Sequence, residues 1–518
     1  MNQLYQSQNK LCVSESEEGL CQVLQYIQQH WNDNYSLVVL DMNTYCSAYI
    51  LPTNDNWESE ILKLINALCH IEHTWPKSIE LDNYHQRYII KMNLYKGRLQ
   101  SCATYQCVDG ELTIINKPQQ EYNAYYDESE HSKKITNSTI HAENFAPYFC
   151  AAILCIPKQK DKEFQAQYLA FENKYKAIFT VEKDKELKSQ TPFSKKKFKA
   201  GLNIHDKQTA NFISDYLQLL IDWDLPFTLY CNHKLEFMLR QYNAQWMRYP
   251  SIGYVSTETE IVYRSNVYAL TKLLQKYHPS HVLDNWEKPS FIPSLSEFLS
   301  QQYSKNENIP HKTVENDNIL QIISWLNDEE VNVNIDWNYK PIFEAFRLYM
   351  QDECLKIRKF DLDKEGTHKT KAAAQTAGFA SASEMDSTQS VPIRATDILA
   401  GLFNHLINTL ENQTQYANSE EYRRMKSLPY HWMPQKPQAF ELYKKLYAVL
   451  FLQHNSWYKV CSGLYVDSFA ILTSLLTEIQ QYTTWEEYNA VSKSIHQQQW
   501  EQLNAQALQY HWKVHGLE

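Results

Sequence analysis

The chain has 518 residues, a formal net charge of −10, and is 43% hydrophobic and 13% aromatic. That length calls for roughly two to four domains with well-filled cores. The acidic balance excludes a wholly basic nucleic-acid-binding protein, while leaving room for a local basic face. Met1 to Lys10 is polar and lacks an apolar signal core. The longest apolar runs, Leu446 to Leu452 and Phe469 to Leu476, are far shorter than the ~20 residues of a membrane span. A cytoplasmic protein with no membrane partner is expected. The eleven cysteines are irregularly spaced, and neither Cys102/Cys107 nor Cys150/Cys155 carries a histidine pattern of the zinc-finger kind. They read as free, mostly buried thiols of a reducing compartment.

Residues 1–118 read as an α/β accessory module. Gly19 to Trp31 has amphipathic helical spacing, Tyr35 to Leu40 reads as a strand with Asp41 directly after it, and Trp57 to Ile71 as a helix. Arg87 to Met92 and Leu112 to Ile115 read as further strands. Asp41 is a candidate acid, although a solvent-facing strand end describes it as well.

Residues 119–234 form the first part of a core. Tyr125-Tyr126-Asp127-Glu128-Ser129 ends a first strand in two acids, and the nearly all-apolar Phe145 to Ile156 is a buried second strand. Asp127 is a candidate ligand for a hard cation at a sheet edge; adjacent acids also mark turns. The strand pleat turns Glu128 away from Asp127, as an alternative or supporting group. Asp161 to Asn173 reads as a turn or the start of a helix, and Tyr175 to Val181 as a strand. The run Glu182 to Lys188 includes Glu186 and Lys188 and reads as a solvated helix face. Lys195, Lys196 and Lys197 follow as a basic patch able to hold a phosphate backbone. Ala210 to Trp223 has helical spacing, and Phe227 to Cys231 returns to strand.

Residues 235–375 read as a mainly helical insertion, its last helix spanning Ile342 to Ile357. Lys364 to Ser390 is poor in large apolar residues and reads as a mobile or partly helical connection, with His368, Lys369 and Lys371 exposed. Residues 376–415 complete the core. Asp386 precedes Pro392, and Ala395 to Asn408 reads as a helix with Asp397 in its first turn, where a carboxylate meets the positive helix end. Ala400 and Gly401 leave that helix room to approach a sheet. Residues 416–518 read as a helical cap or oligomerisation surface. His131 is a candidate proton donor, and Trp246, Trp432, Trp500 and Trp512 are candidate base-stacking groups; a turn histidine and core aromatics are the plainer readings.

Taken together, Tyr126-Asp127-Glu128-Ser129, the apolar strand through Tyr148 to Ile156, Glu186-Leu187-Lys188 and Thr396-Asp397-Ile398-Leu399-Ala400-Gly401 resemble a family of ribonuclease-H-like proteins of unknown function. Its members open with an aromatic-Asp-Glu-Ser segment and close with an Ala-Asp-hydrophobic-hydrophobic-Ala-Gly helix. The resemblance covers roughly 119–240 and 380–415, and Thr396 departs from the family's alanine. It implies an α/β fold with a five-stranded mixed sheet and a Mg²⁺- or Mn²⁺-dependent nuclease centre. Asp127, Glu186, Asp386 and Asp397 would be its catalytic and metal-binding carboxylates. Lys188 would orient a carboxylate or meet a phosphate. RNA or DNA would be the substrate, in a defence or mobile-element context, with a protein partner or homo-oligomer as further associations. The competing expectation is a catalytically inactive ribonuclease-H-like module that binds nucleic acid or protein.

Overall fold

The computed structural model describes residues 120–129, 135–142, 145–194, 196–240, 258–286, 288–328, 339–353, 355–364, 368–416, 425–454 and 458–515, together with the backbone of six strands nearer the N-terminus. The chain divides into two compact units. One comprises Met1–Tyr122, Arg347–Ile357 and His454–Tyr458; the other comprises Asn123–Phe346, Arg358–Gln453 and Lys459–Glu518.

The first unit contains β1 (Leu37–Val39), β2 (Cys46–Ile50), β3 (Pro76–Asp82), β4 (Arg87–Met92), β5 (Ala103–Val108) and β6 (Glu111–Ile114). They form one sheet in the order β3-β4-β2-β1-β5-β6, with antiparallel pairing throughout. Three of these strands match the segments expected from alternation. Asp41 and the two expected helices lie outside the described residues.

The second unit is built on β7 (Glu121–Ser129), β8 (Tyr148–Pro157), β9 (Phe227–His233), β10 (Lys356–Asp363), β11 (Ala382–Met385) and, after a small hairpin of β12 (Gln415–Tyr416) and β13 (Lys426–Ser427), β14 (Val460–Ser462). The large sheet has the order β11-β10-β7-β8-β9-β14. It is mixed: β8 and β9 run antiparallel, from Tyr148 opposite His233 to Leu154 opposite Phe227, while β10–β11 and β9–β14 are parallel. Every residue of β8 and β9 is buried. That explains why these strands read as unbroken apolar runs instead of alternating ones.

Helices cover the faces. The long helix Val391–Gln413 is tied to β8 by Asn408, whose side-chain oxygen accepts the Tyr148 N–H at 2.6 Å and whose amide donates to the Tyr148 carbonyl at 3.2 Å. It is tied to β7 by Thr396, which donates to the Tyr125 carbonyl at 3.4 Å. Helices Asp161–Ile178 and Lys207–Trp223 lie beside it, with Tyr168 and Tyr216 donating hydroxyls to the carbonyls of Arg394 and Ala395. Helix Lys340–Asp352 packs against the sheet through Phe343, whose ring meets Tyr126 and Phe360. Helices Glu258–Tyr277, Phe291–Asn306 and Thr313–Asp328 share a second core that includes Val267, Leu270, Leu299 and Ile322.

Several sequence expectations are corrected. Tyr175 to Val181 is not a strand, because helix Asp161–Ile178 runs through most of it. Phe164, Tyr168, Phe171 and Tyr175 stack along that helix at i, i+4, i+7 and i+11, a helical period. Glu182 to Lys188 is irregular chain and not a helix face. The helix expected to reach Ile357 ends at Asp352, and β10 begins at Lys356. The connection 364–390 holds helix Lys369–Thr376 and β11. The tail, expected to be helical, supplies β14, so the sheet has six strands where five were expected. No helix among the described residues is long and apolar enough to cross a membrane.

Gly201 marks a point of close packing. Its φ of +57° is left-handed, and a Cβ there would lie 2.2 Å from the Tyr443 hydroxyl and 2.6 Å from the buried Trp432 ring. Gly201→Ala is expected to lower stability by about 1–3 kcal/mol through overpacking and backbone strain. An unchanged urea midpoint would contradict this packing.

Candidate acidic centre

Along β7 the side chains alternate between the two faces of the sheet. Asn123 and Tyr125 both donate to Asp161, at 3.1 Å and 3.0 Å. Tyr126 packs on Phe343 with ring centroids 5.3 Å apart and donates its hydroxyl to Glu128. Asp127 therefore shares the face of Asn123 and Tyr125, which the long helix covers, and Glu128 turns to the other side. The expectation drawn from the pleat holds for this pair.

Asp127 is buried, and one of its oxygens accepts the Glu128 N–H at 2.7 Å. Burial, and after it the charges of Asp397 and Asp363, push its pKa well above the usual carboxylate range. Asp397 reaches this place from the long helix, and its pKa is also raised by burial. Because that helix begins at Val391, Asp397 lies beyond its first turn. The helix end thus gives it less support than its sequence position implied.

Asp363 is the carboxylate that sequence reasoning missed. It ends β10, the strand next to β7. Burial raises its pKa, and the charges of Glu186 and Asp386 add to that rise while Lys188 opposes it. Three elements distant in sequence thus bring Asp127, Asp363 and Asp397 into one electrostatic neighbourhood. Two residues earlier on β10, Asp361 belongs to a different contact: it is wholly buried, accepts the Ser383 hydroxyl at 3.0 Å and meets Lys359.

The irregular loop before Pro192 closes over this group. Lys188 pairs with Glu186 at 2.7 Å, and that bond is the main cause of its raised pKa. Its side chain remains 60% exposed, so it borders the carboxylates without filling the space among them. Ser189 engages Asp397 twice at 2.7 Å, donating its backbone N–H to one oxygen and its hydroxyl to the other. Gly401, one helical turn beyond Asp397, makes this approach possible: a Cβ there would lie 2.3 Å from the Ser189 Cβ. The expected close approach of Gly401 is real, but the partner is this loop and not the sheet.

Asp386 stands at the edge. It is exposed and caps a short 3₁₀ turn, accepting the Thr388 N–H at 2.9 Å and the Thr388 hydroxyl at 2.6 Å. Those bonds, the hydroxyl's first, hold its carboxyl below the usual range. Glu186 is likewise engaged, through Lys188. Among the described residues, no set of three or more His, Cys, Asp or Glu side chains is grouped to hold a metal ion. No family model matches the chain, nor does any curated protein or solved structure.

The lysines expected to hold a phosphate backbone separate on inspection. Lys195 and His131 lie outside the described residues, as does Trp246. Lys196 is exposed. Lys197 is committed to Asp206 at 2.9 Å and to the Thr209 hydroxyl at 2.7 Å, so it is not available as a backbone contact. Trp432 and Trp500 are fully buried and cannot stack on a base, and Trp512 lies against Lys272. The described cysteines Cys150, Cys155, Cys231 and Cys461 are buried, and Cys150 and Cys231 face one another across β8 and β9 with sulfurs 3.0 Å apart.

Proposed function

We propose that this acidic centre is a divalent-cation-dependent nuclease centre acting on RNA or DNA, on a ribonuclease-H-like sheet. The observation that carries the reading is the convergence of Asp127, Asp363 and Asp397 from β7, β10 and the long helix, with burial raising the pKa of each. Asp127 is buried and Asp363 and Asp397 are half-buried beside it, so carboxylates that repel one another hold charge that the nearby lysine, exposed and paired with Glu186, does not cancel. Oxygen donors in that state suit Mg²⁺ or Mn²⁺. Asp127, Asp363 and Asp397 would hold the cation, with Glu186 and Asp386 at the rim. When bound, the cation supplies an activated water and stabilises the leaving oxygen of a phosphodiester.

The chain's own residues do the rest. Ser189 donates one bond to each Asp397 oxygen, which leaves a second lone pair on each, so the loop would orient this carboxylate while it holds the cation. Lys188 and Lys196, both exposed, would meet phosphate oxygens without reading bases. The mixed sheet and the order of the acids along the chain support the resemblance to the ribonuclease-H-like family.

A second reading is a catalytically inactive module that binds nucleic acid or a protein. It is favoured by the donors that already serve two of the carboxylates without a cation, Ser189 on Asp397 and Thr388 on Asp386. The two separate in one assay: labelled single- and double-stranded RNA and DNA incubated with Mg²⁺ or Mn²⁺, comparing the parent with Asp363→Asn. The nuclease reading expects cleavage by the parent and a loss of about a hundredfold in the variant. Binding without cleavage by both proteins favours the inactive module.

A further inference from the structure

Helix Asp161–Ile178 carries a wholly buried carboxylate, Glu172. Left alone such a charge would strongly disfavour folding, and separate parts of the chain are drawn in to satisfy it. Arg394 of the long helix meets it with both prongs of its guanidinium, Nε to Oε1 and Nη2 to Oε2, each at 3.0 Å. Leu187, between Glu186 and Lys188, donates its backbone N–H to Oε1 at 3.1 Å. The remaining Arg394 nitrogen, Nη1, donates to the carbonyls of Ser387 at 3.1 Å and Thr388 at 3.3 Å, directly after Asp386.

Arg394, Asp397 and Gly401 are spaced i, i+3 and i+7, one stripe of the long helix. The loop docks along that stripe. Leu187 is held through Glu172 at Arg394, and Ser189 is held on Asp397 and fits against Gly401. We propose that the Glu172–Arg394 pair is the positioning element of the acidic centre, fixing the Glu186–Ser189 loop and the Asp386 segment to the helix that carries Asp397. That the positioned loop serves a cation-binding centre rests on the nuclease reading above; the docking itself does not. Neither residue is catalytic, since both act through the segments they hold. A lysine at 394 would keep the charge but could not span both carboxylate oxygens and two carbonyls at once.

The test uses the full chain and the variant Arg394→Lys, with Glu478→Gln as a control. Glu478 belongs to a different buried pair, with His496. Amide hydrogen exchange at Leu187 and Ser189 is compared with global stability in each protein. Exchange at both amides is expected to quicken about tenfold or more in Arg394→Lys beyond any change in global stability, and to follow global stability alone in Glu478→Gln. Unchanged protection in a folded Arg394→Lys overturns the proposal, as does a loss that merely tracks global stability in both variants. If Arg394→Lys does not fold, Glu172→Gln is read at Ser189 alone, since it weakens the Arg394 pair but keeps the size and an acceptor for Leu187.

Mn²⁺ titration reads the second half. About tenfold weaker affinity in Arg394→Lys supports a positioning role, whereas unchanged affinity beside faster exchange overturns that role. A parent protein that binds no Mn²⁺ sinks the nuclease reading, and the exchange result then still decides the docking.

Discussion

Asp127→Asn is expected to lose nucleic-acid cleavage by about a thousandfold while folding normally. Removing a charged ligand that meets a cation costs several kcal/mol in the transition state, at ~1.4 kcal/mol per tenfold in rate. The fold should tolerate the change because Asn keeps the shape and an acceptor for the Glu128 N–H, which Asp127 accepts at 2.7 Å. The substitution should also alter the pH dependence of stability, with a definite sign. Asp127 in the folded chain has a pKa raised well above 3.8, first by burial and then by Asp397 and Asp363. The folded state therefore binds the proton more tightly than the unfolded state. Between the unfolded value and the raised folded one, stability falls as pH rises. Measured against Asp127→Asn, the metal-free parent should accordingly gain stability as pH is lowered from neutrality toward 3.8; groups such as His511, whose pKa burial lowers to about 4, act in the opposite sense in both proteins and cancel in the difference. Thermal melts of both proteins across this window, with and without Mg²⁺, check it. A difference between the two proteins that stays constant through the window would show that Asp127 does not carry this strain.

Gly401→Ala is expected to destabilise the chain by about 3 kcal/mol and to detach the loop from Asp397. Two effects oppose one another. Alanine inside a helix gains ~1 kcal/mol over glycine. Against this, its Cβ would lie 2.3 Å from the Ser189 Cβ and 2.6 Å from the Ser189 hydroxyl oxygen, so the loop must move. Overpacking costs about 1–3 kcal/mol, and each hydrogen bond from Ser189 to the Asp397 carboxylate is of the stronger, charge-assisted kind, worth about 1.5–3 kcal/mol. The clash and the lost bonds outweigh the helical gain. Urea denaturation measures the net change, and amide exchange at Ser189 shows whether the loop has left. A more stable variant with Ser189 still protected would mean that the loop yields without leaving Asp397.

Part of this centre was legible before any coordinates. Asp127 ends a segment whose aromatic neighbours mark a strand, and Asp397 lies in a helix whose Gly401 signals a close approach; each signal is local. Asp363 carries no such mark. Its strand, Lys356 to Asp363, holds Lys356, Arg358 and Lys359, follows a helix directly, and gains its meaning only from lying beside β7, more than two hundred positions earlier. The Glu172–Arg394 pair is hidden for the same reason, since its members are 222 positions apart. The end of helix Asp161–Ile178 was misread as a strand because its aromatic residues suit either element over a few positions. Only the longer ladder from Phe164 to Tyr175 separates them. Covered on both faces, β8 and β9 show no alternation, yet their apolar runs were long enough to be recognised. The three residues of β14 were too few to stand out within a helical tail.

That last strand bears on how the chain is made. Val460 pairs beside Leu229, so one flank of β9 is closed by residues synthesised well over two hundred positions later. While the protein is still being translated, β9 offers a row of unsatisfied amides and carbonyls to whatever passes, the condition under which nascent sheets join the wrong neighbour. Slow synthesis between these two segments should therefore favour chaperone capture or clumping over correct closure.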